Sequence, residues 1–332
     1  MKLGCAYFGN RILKHARKDM EELRDMGCSF VVHTYNENDM MFCHKAVCEI
    51  VAMSQDVGLE VYIDPWGVGK VFGGESYSNF VMQNHDACQM VSDGRAAGCA
   101  CPNHPRFREF MREWTDAAAE TGAETFFWDE PHFYVVGWVG TRPNTWGCLC
   151  DTCRRLFQER TGLPFPTERT PELNQFQEDC IFEFLSELVA YAHEKGRKNA
   201  LCVLPNKDPE HSTANFARMA SIPKLDIFGT DPYWVSFKKD LHEFVGSNCR
   251  EVLELCRRHG TEAQIWIQNF HIPAEREQEI VTATDLIAEC GVRNIAVWGF
   301  DSCRHLSWIR PANPDLVWDK TKEAYSRVAG MK

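Results

Sequence analysis

The sequence predicts a single closed (β/α)8 barrel over residues 1–332, and three observations predict it. Eight short apolar runs alternate with amphipathic stretches along the whole chain, the order that builds a parallel sheet with crossover helices. Gly27, Gly58, Gly122, Gly260 and Gly291 close helical patterns just ahead of the next apolar run, where C-terminal caps belong. No Ser/Gly/Pro-rich linker or charge run divides the chain, and eight repeats with no element left over favour closure. An open doubly wound sheet is the weaker alternative, because no strand carries the Gly-rich dinucleotide fingerprint.

Taken in order, the first apolar run covers 3–8 and leads into helical periodicity at 11–26. The second strand, 29–35, precedes a helix at 39–57, and the third, 60–63, opens a long loop before a helix at 105–121. Strand 4 covers 124–128; the pattern at 151–197 that follows is interrupted at Pro164 and Pro166, where proline removes a donor and clashes with the preceding turn. Strands 5 to 8 are expected at 200–204, 225–229, 263–267 and 294–298, with helices at 211–220, 238–259, 274–290 and 315–329.

Charge excludes one class of partner. The chain carries 36 basic against 47 acidic residues, a net charge of −11, and no basic run offsets it, so nucleic acid is not an expected partner. The opening apolar run is too short for a signal segment and no stretch of about 18 uncharged apolar residues occurs, which predicts no membrane partner and a cytoplasmic location. Sixteen cysteines in a chain this long fit a reducing compartment better than a disulfide scaffold. Most of them, Cys5, Cys28, Cys202, Cys256 and Cys290 among them, are expected to act as small buried hydrophobes.

Barrel enzymes build their sites at the C-terminal ends of strands. There the chain places His33 after strand 2, Asp64-Pro65-Trp66 after strand 3 and Asp129-Glu130-Pro131-His132 after strand 4. Strand 6 ends in Asp231-Pro232-Tyr233-Trp234, strand 7 in Gln268-Asn269-Phe270-His271 and strand 8 in Trp298-Gly299-Phe300-Asp301. Carboxylates mixed with aromatics suit sugar chemistry: one carboxylic acid protonates the leaving oxygen, a second carboxylate attacks carbon or activates water, and aromatic faces cover the pyranose C–H surface. Glu130 is the expected acid. Asp129, adjacent to it, should point the opposite way along a strand, so the partner is sought elsewhere: Asp231 first, then Asp64 and Asp301. An aspartate before proline or glycine also serves as an ordinary turn residue. Trp66, His132, Tyr233, Trp234, Asn269, Trp298 and His33 are the candidate sugar contacts, whereas Trp114 and Trp266 are expected in the core. The glycine-rich stretch Val71-Phe72-Gly73-Gly74-Glu75-Ser76 fits either a loop approaching ligand or a flexible turn, and it lacks the Lys-Ser/Thr of a phosphate loop.

Cys101, Cys148, Cys150 and Cys153 flank the strand-4 exit with a spacing that can close a tetrahedral thiolate site for a structural zinc ion. Such a site would tie the long loop after strand 3 to the long loop after strand 4; Cys99 is the alternative to Cys101. Arg95 with Cys101-Pro102-Asn103-His104-Pro105-Arg106-Phe107, and Cys148-x-Cys150-x-x-Cys153 with Arg154, Phe157 and Arg160, resemble the two cysteine segments of glycoside hydrolase family 42, the β-galactosidases of a large clan of retaining barrels. The match is close over about 90–165. The resemblance implies a zinc site on the four cysteines and an acid/base role for Glu130, although Asp129 replaces the asparagine that precedes it in that family. It also implies a nucleophilic glutamate at the end of strand 7, where this chain has Gln268-Asn269. A sister family with a relocated second carboxylate, acting on a small glycoside or oligosaccharide, is therefore the expectation. Two alternatives stand beside it: a divalent-metal sugar isomerase or epimerase using His33, Asp64, Glu130, His132, Asp231 and His271, and a catalytically silent sugar-binding barrel.

Overall fold

The computed structural model describes residues 1–136 and 141–330. Eight parallel strands close a barrel: β1 (Lys2–Tyr7), β2 (Phe30–Thr34), β3 (Glu60–Asp64), β6 (Thr125–Asp129), β7 (Lys198–Val203), β8 (Ile227–Thr230), β9 (Glu262–Gln268) and β10 (Asn294–Trp298). A short antiparallel hairpin, β4 (Cys88–Met90) and β5 (Ala96–Ala100), lies in the loop between β3 and β6. The fold class is the one expected.

Alternation along the strands sets what each residue faces. Phe30 and Val32 of β2, Tyr62 of β3, Phe127 of β6, Trp266 of β9 and Ala296 of β10 fill the barrel interior. Their neighbours Val31, Ile63, Phe126, Trp128, Ile267 and Val297 pack outward against the helices. Both layers are apolar, which is why these strands are near-continuous hydrophobic runs. Gly4 makes room for this filling: a Cβ there would stand 2.1 Å from the Phe30 ring. Trp114 and Trp266 are buried, as expected of core residues.

Helices α1 (Leu13–Asp25), α2 (His44–Asp56), α4 (Pro105–Glu120), α5 (Asp151–Thr161), α6 (Pro171–Glu194), α8 (Leu241–His259), α9 (Glu279–Cys290) and α10 (Pro314–Ala329) surround the sheet. The break at Pro164 and Pro166 separates α5 from α6, and the five capping glycines all adopt positive φ. Two expectations differ. The helix expected at 211–220 is reduced to a 3₁₀ turn, Pro209–His211, and one short turn, α7 (Phe216–Met219); Ser212 turns left-handed between them at φ 62°. The loop after β3 carries its own structure, α3 (Asn79–Gln83) and the β4–β5 hairpin, organised around the buried carboxylate of Glu37. That carboxylate accepts from the Gly69 and Phe80 amides at 2.8 and 2.6 Å and from the Ser78 hydroxyl at 2.6 Å.

The same loop is stitched to the loop after β6. Leu149 N donates to Met90 O and Ser92 N to Trp146 O, both at 2.8 Å, and the Gln89 amide bridges Ala100 O to Tyr134 N at 3.0 Å each. No helix among the described residues is long and apolar enough to cross a membrane.

Candidate active site

Inward parity carries Asp64 of β3, Asp129 of β6, Asp231 just beyond β8 and Trp298 of β10 toward the barrel mouth, because each follows an interior residue at a spacing of two. There they meet a cavity of about 420 Å³ whose polar wall is Glu75, Asp129, Glu130 and Asp231 and whose aromatic wall includes Tyr233, Phe237, Phe270, Trp298 and Trp308.

Asp129 and Glu130 do not diverge as expected of neighbours on a strand. Glu130 adopts φ 40°, and this left-handed residue breaks the alternation and turns its side chain back to the interior. Gly73 shows the result: a Cβ there would stand 2.7 Å from Asp129 Oδ2 and 2.8 Å from Glu130 Oε2, so the two oxygens lie within about 5.5 Å of each other across a bare backbone. The amide of Gly73 donates to Asp129 O at 3.0 Å, and that of Glu130 to Cys202 O at 2.9 Å, fixing both from behind.

The aspartates before proline are not turn residues. In both Asp64-Pro65-Trp66 and Asp231-Pro232-Tyr233 the turn is closed by main chain, with Trp66 N donating to Asp64 O at 2.8 Å and Tyr233 N to Asp231 O at 2.6 Å. Both carboxyl oxygens of Asp64, and Oδ1 of Asp231, are buried without a protein hydrogen-bond partner. Burial pushes Asp64, Asp129 and Asp231 well above the ordinary carboxylate range, and neighbouring carboxylates push them further. Burial raises Glu130 as well, against a hydrogen bond with Asp231. The same contact raises Asp231 while it works against the rise of Glu130, as expected of two neighbouring carboxyls that do not ionise independently. Glu75, raised by burial, is partly offset by Lys70 and His271.

Several sequence candidates stand elsewhere. His33 has outward parity: Nε2 pairs with Ser54 Oγ of α2 at 2.9 Å, and burial lowers its pKa to about 3. Trp234 is buried in the layer between sheet and helices, its Nε1 donating to Glu279 at 2.6 Å. Asp301 faces solvent and pairs with Arg304 at 2.9 Å, so its turn role is the correct one. His132 is buried beside its own loop, with Nδ1 2.5 Å from Glu130 O, and faces a separate cleft lined by Tyr77 and Cys99; burial lowers its pKa to about 4. The ring of histidines and carboxylates expected for a metal isomerase is therefore not assembled. Trp66 backs the cavity, stacked on Phe8 at 5.6 Å and filling the space beside Gly74. Asn269 lies beneath the β10 loop, donating to Gly299 O at 2.9 Å. Gln268, at the position where the family 42 resemblance implies a nucleophile, braces loops: its oxygen accepts from Val235 N at 3.1 Å and its amide donates to Ser236 Oγ at 2.9 Å.

Cavity residues given no individual role from the sequence include Glu75, Phe237 and Trp308. The Gly73-Gly74-Glu75 step was the signal for the first, a charged residue placed where glycines let backbone approach. Trp308, 73% exposed at the rim, had only its distance beyond strand 8 to mark it.

Beside the cavity, Cys101, Cys148, Cys150 and Cys153 are buried with their sulfurs all within 4.8 Å of one another, so they could hold a metal ion. Cys101 Sγ lies 3.5 Å from Cys153 Sγ and 3.6 Å from Cys150 Sγ, near the roughly 3.8 Å edge of a tetrahedron with Zn–S bonds of about 2.3 Å. Asn103 Nδ2 donates to Cys153 Sγ at 3.4 Å, the kind of outer contact that orients a ligand. Cys99 packs with Val91, Ala97 and Tyr134 instead.

No family model matches the sequence, and no curated protein matches it. Solved barrels resemble the structure. An endo-1,4-β-mannanase from Rhizomucor miehei gives a TM-score of 0.67 at 9% identity, over 100% of this chain and 95% of that one. A GH5_18 protein from Streptomyces cattleya, solved with GlcNAc, gives 0.61 at 11% over 100% and 81%. A D-psicose 3-epimerase from Clostridium cellulolyticum H10, solved with D-tagatose, gives 0.53 at 11% over 99% and 98%. Such likenesses establish the barrel fold, and glycoside hydrolase family 42, expected from the cysteine segments, is not shown by them.

Proposed function

We propose that the chain is a glycoside hydrolase for a small glycoside or oligosaccharide, with Glu130 and Asp231 as its working carboxyls. The observation that carries this reading is that Glu130 and Asp231, both raised by burial, share the wall of an aromatic-lined cavity at the C-terminal mouth of the barrel. The hydrogen-bonded proton passes from Asp231 to Glu130, which donates it to the leaving oxygen, and Asp231, left as the carboxylate, attacks the anomeric carbon or activates water. Trp298, Tyr233 and Trp308 offer apolar faces to the ring, and Asp64 and Asp129 stand behind as carboxylates without cationic partners.

The four thiolates would hold a structural zinc ion. Four protein ligands leave no open position for substrate, so such an ion would supply rigidity and not chemistry. Mannanases and a GH5_18 protein among the structural neighbours are in keeping with carbohydrate as the substrate class.

Release of chromophore from a panel of aryl α- and β-glycosides tests the reading. Turnover of one glycone that falls about 10²-fold or more in Glu130→Gln supports it; no turnover on the panel or on natural disaccharides defeats it.

A further inference from the structure

The cavity gathers more carboxyl groups than hydrolysis needs. Glu130 and Asp231 account for the proton and the second carboxylate, yet Glu75 and Asp129 remain on the wall and Asp64 lies buried next to Asp129. Among the described residues, the charges that act most on Asp64, Asp129 and Glu130 are all carboxylates. The basic groups that act on Glu75 are both already engaged: Lys70 Nζ donates to Gly74 O and Ser76 O at 2.7 and 3.2 Å, and His271 Nε2 sits 2.9 Å from Trp308 O. Asp64 is fully buried with neither oxygen partnered, and Asp231, 2% exposed on the cavity wall, leaves Oδ1 unpartnered. Buried acceptors of this kind call for a donor.

Two kinds of cation could supply it, and geometry separates them. Among the described residues, the four thiols are the group of three or more ligands whose atoms lie within 4.8 Å of one another. The carboxylates surround a space of molecular size and do not converge on a point, which suits an organic cation better than a metal ion. Aromatic residues of the same lining, Tyr233, Phe270 and Trp298, add the second element of ammonium recognition.

We propose that the cavity takes a sugar bearing a protonated amine, which rests on the glycosidase reading and names its substrate class. The ammonium group donates to Asp129 or Asp231, with Asp64 reinforcing Asp129 from behind, while the ring stacks on the aromatic residues of the lining.

The test is calorimetric titration at pH 6.5, where a sugar amine is charged, with methyl 2-amino-2-deoxy-glycosides of the gluco, galacto and manno series, their 2-hydroxy parents and their 2-acetamido forms. One amino sugar should bind at least about tenfold tighter than its parent, and Asp64→Asn or Asp129→Asn should reduce that ratio at least about threefold. Having two variants guards against one that fails to fold. Equal affinity for amine and parent within about twofold overturns the proposal, and if the aryl panel still shows turnover, the glycosidase reading survives it. Binding of Mg²⁺ or Mn²⁺ alone, lost in Asp64→Asn and with no amine preference, also overturns it.

Discussion

Glu130 owes its direction to one backbone angle. On a regular strand it would follow Asp129 to the opposite face, and its positive φ brings both carboxyls to the same bare stretch of backbone at Gly73. Gly73→Ala should therefore push two oxygens apart without disturbing packed core. We expect kcat to fall about 10²-fold or more, as ångström-scale misplacement does, with a Tm change of less than about 3 °C; steady-state kinetics beside a thermal melt checks both. Trp308→Ala removes an exposed face from the rim and should raise KM roughly three- to tenfold with kcat nearly unchanged. The carboxylates at strand ends could be found from sequence because parity and strand position are local properties. Asp301 could not be separated from them, since its Arg304 partner depends on a left-handed turn at 301–303. His33 could have been excluded by parity, sitting one residue past interior Val32.

Between elements, the decisive feature is the join of the β3 and β6 loops. Hairpin hydrogen bonds and the thiol cluster hold them together, and the Gly73–Asp129 contact links the first loop to the strand end that bears the carboxylates. Protein purified without chelator should contain about one zinc ion per chain by elemental analysis. Stripping it, or Cys101→Ser, should lower Tm by at least about 5 °C and reduce turnover in parallel. The barrel strands were readable because both of their faces are apolar, and the cysteine spacing was readable because a metal fixes it. The β4–β5 hairpin was not, since its strands are only three and five residues long and the second, Ala96-Ala97-Gly98-Cys99-Ala100, carries no alternation of polar and apolar residues. Nor was the loss of helix at 211–220, where apolar periodicity persists but a left-handed Ser212 interrupts it.

Across the molecule, burial of like charges at one end of the barrel makes stability depend on pH. A carboxyl whose folded pKa is raised contributes stability that is complete below its unfolded value and is lost as pH rises through the folded one. Asp64, Asp129, Glu130 and Asp231 are all raised, so thermal stability without ligand should decline from about pH 5 upward. Asp64→Asn should melt higher than wild type near pH 8, match it near pH 4 and show a flatter profile by calorimetry across that range. The stitched loops after β3 and β6 also have a meaning for recombination. Because neither is ordered by its own residues alone, they behave as one inheritable cassette: a chimera exchanging both, together with Glu37, with a related barrel should fold, whereas one exchanging either loop by itself would split the four thiols one against three and leave the hydrogen bonds between the loops unmade.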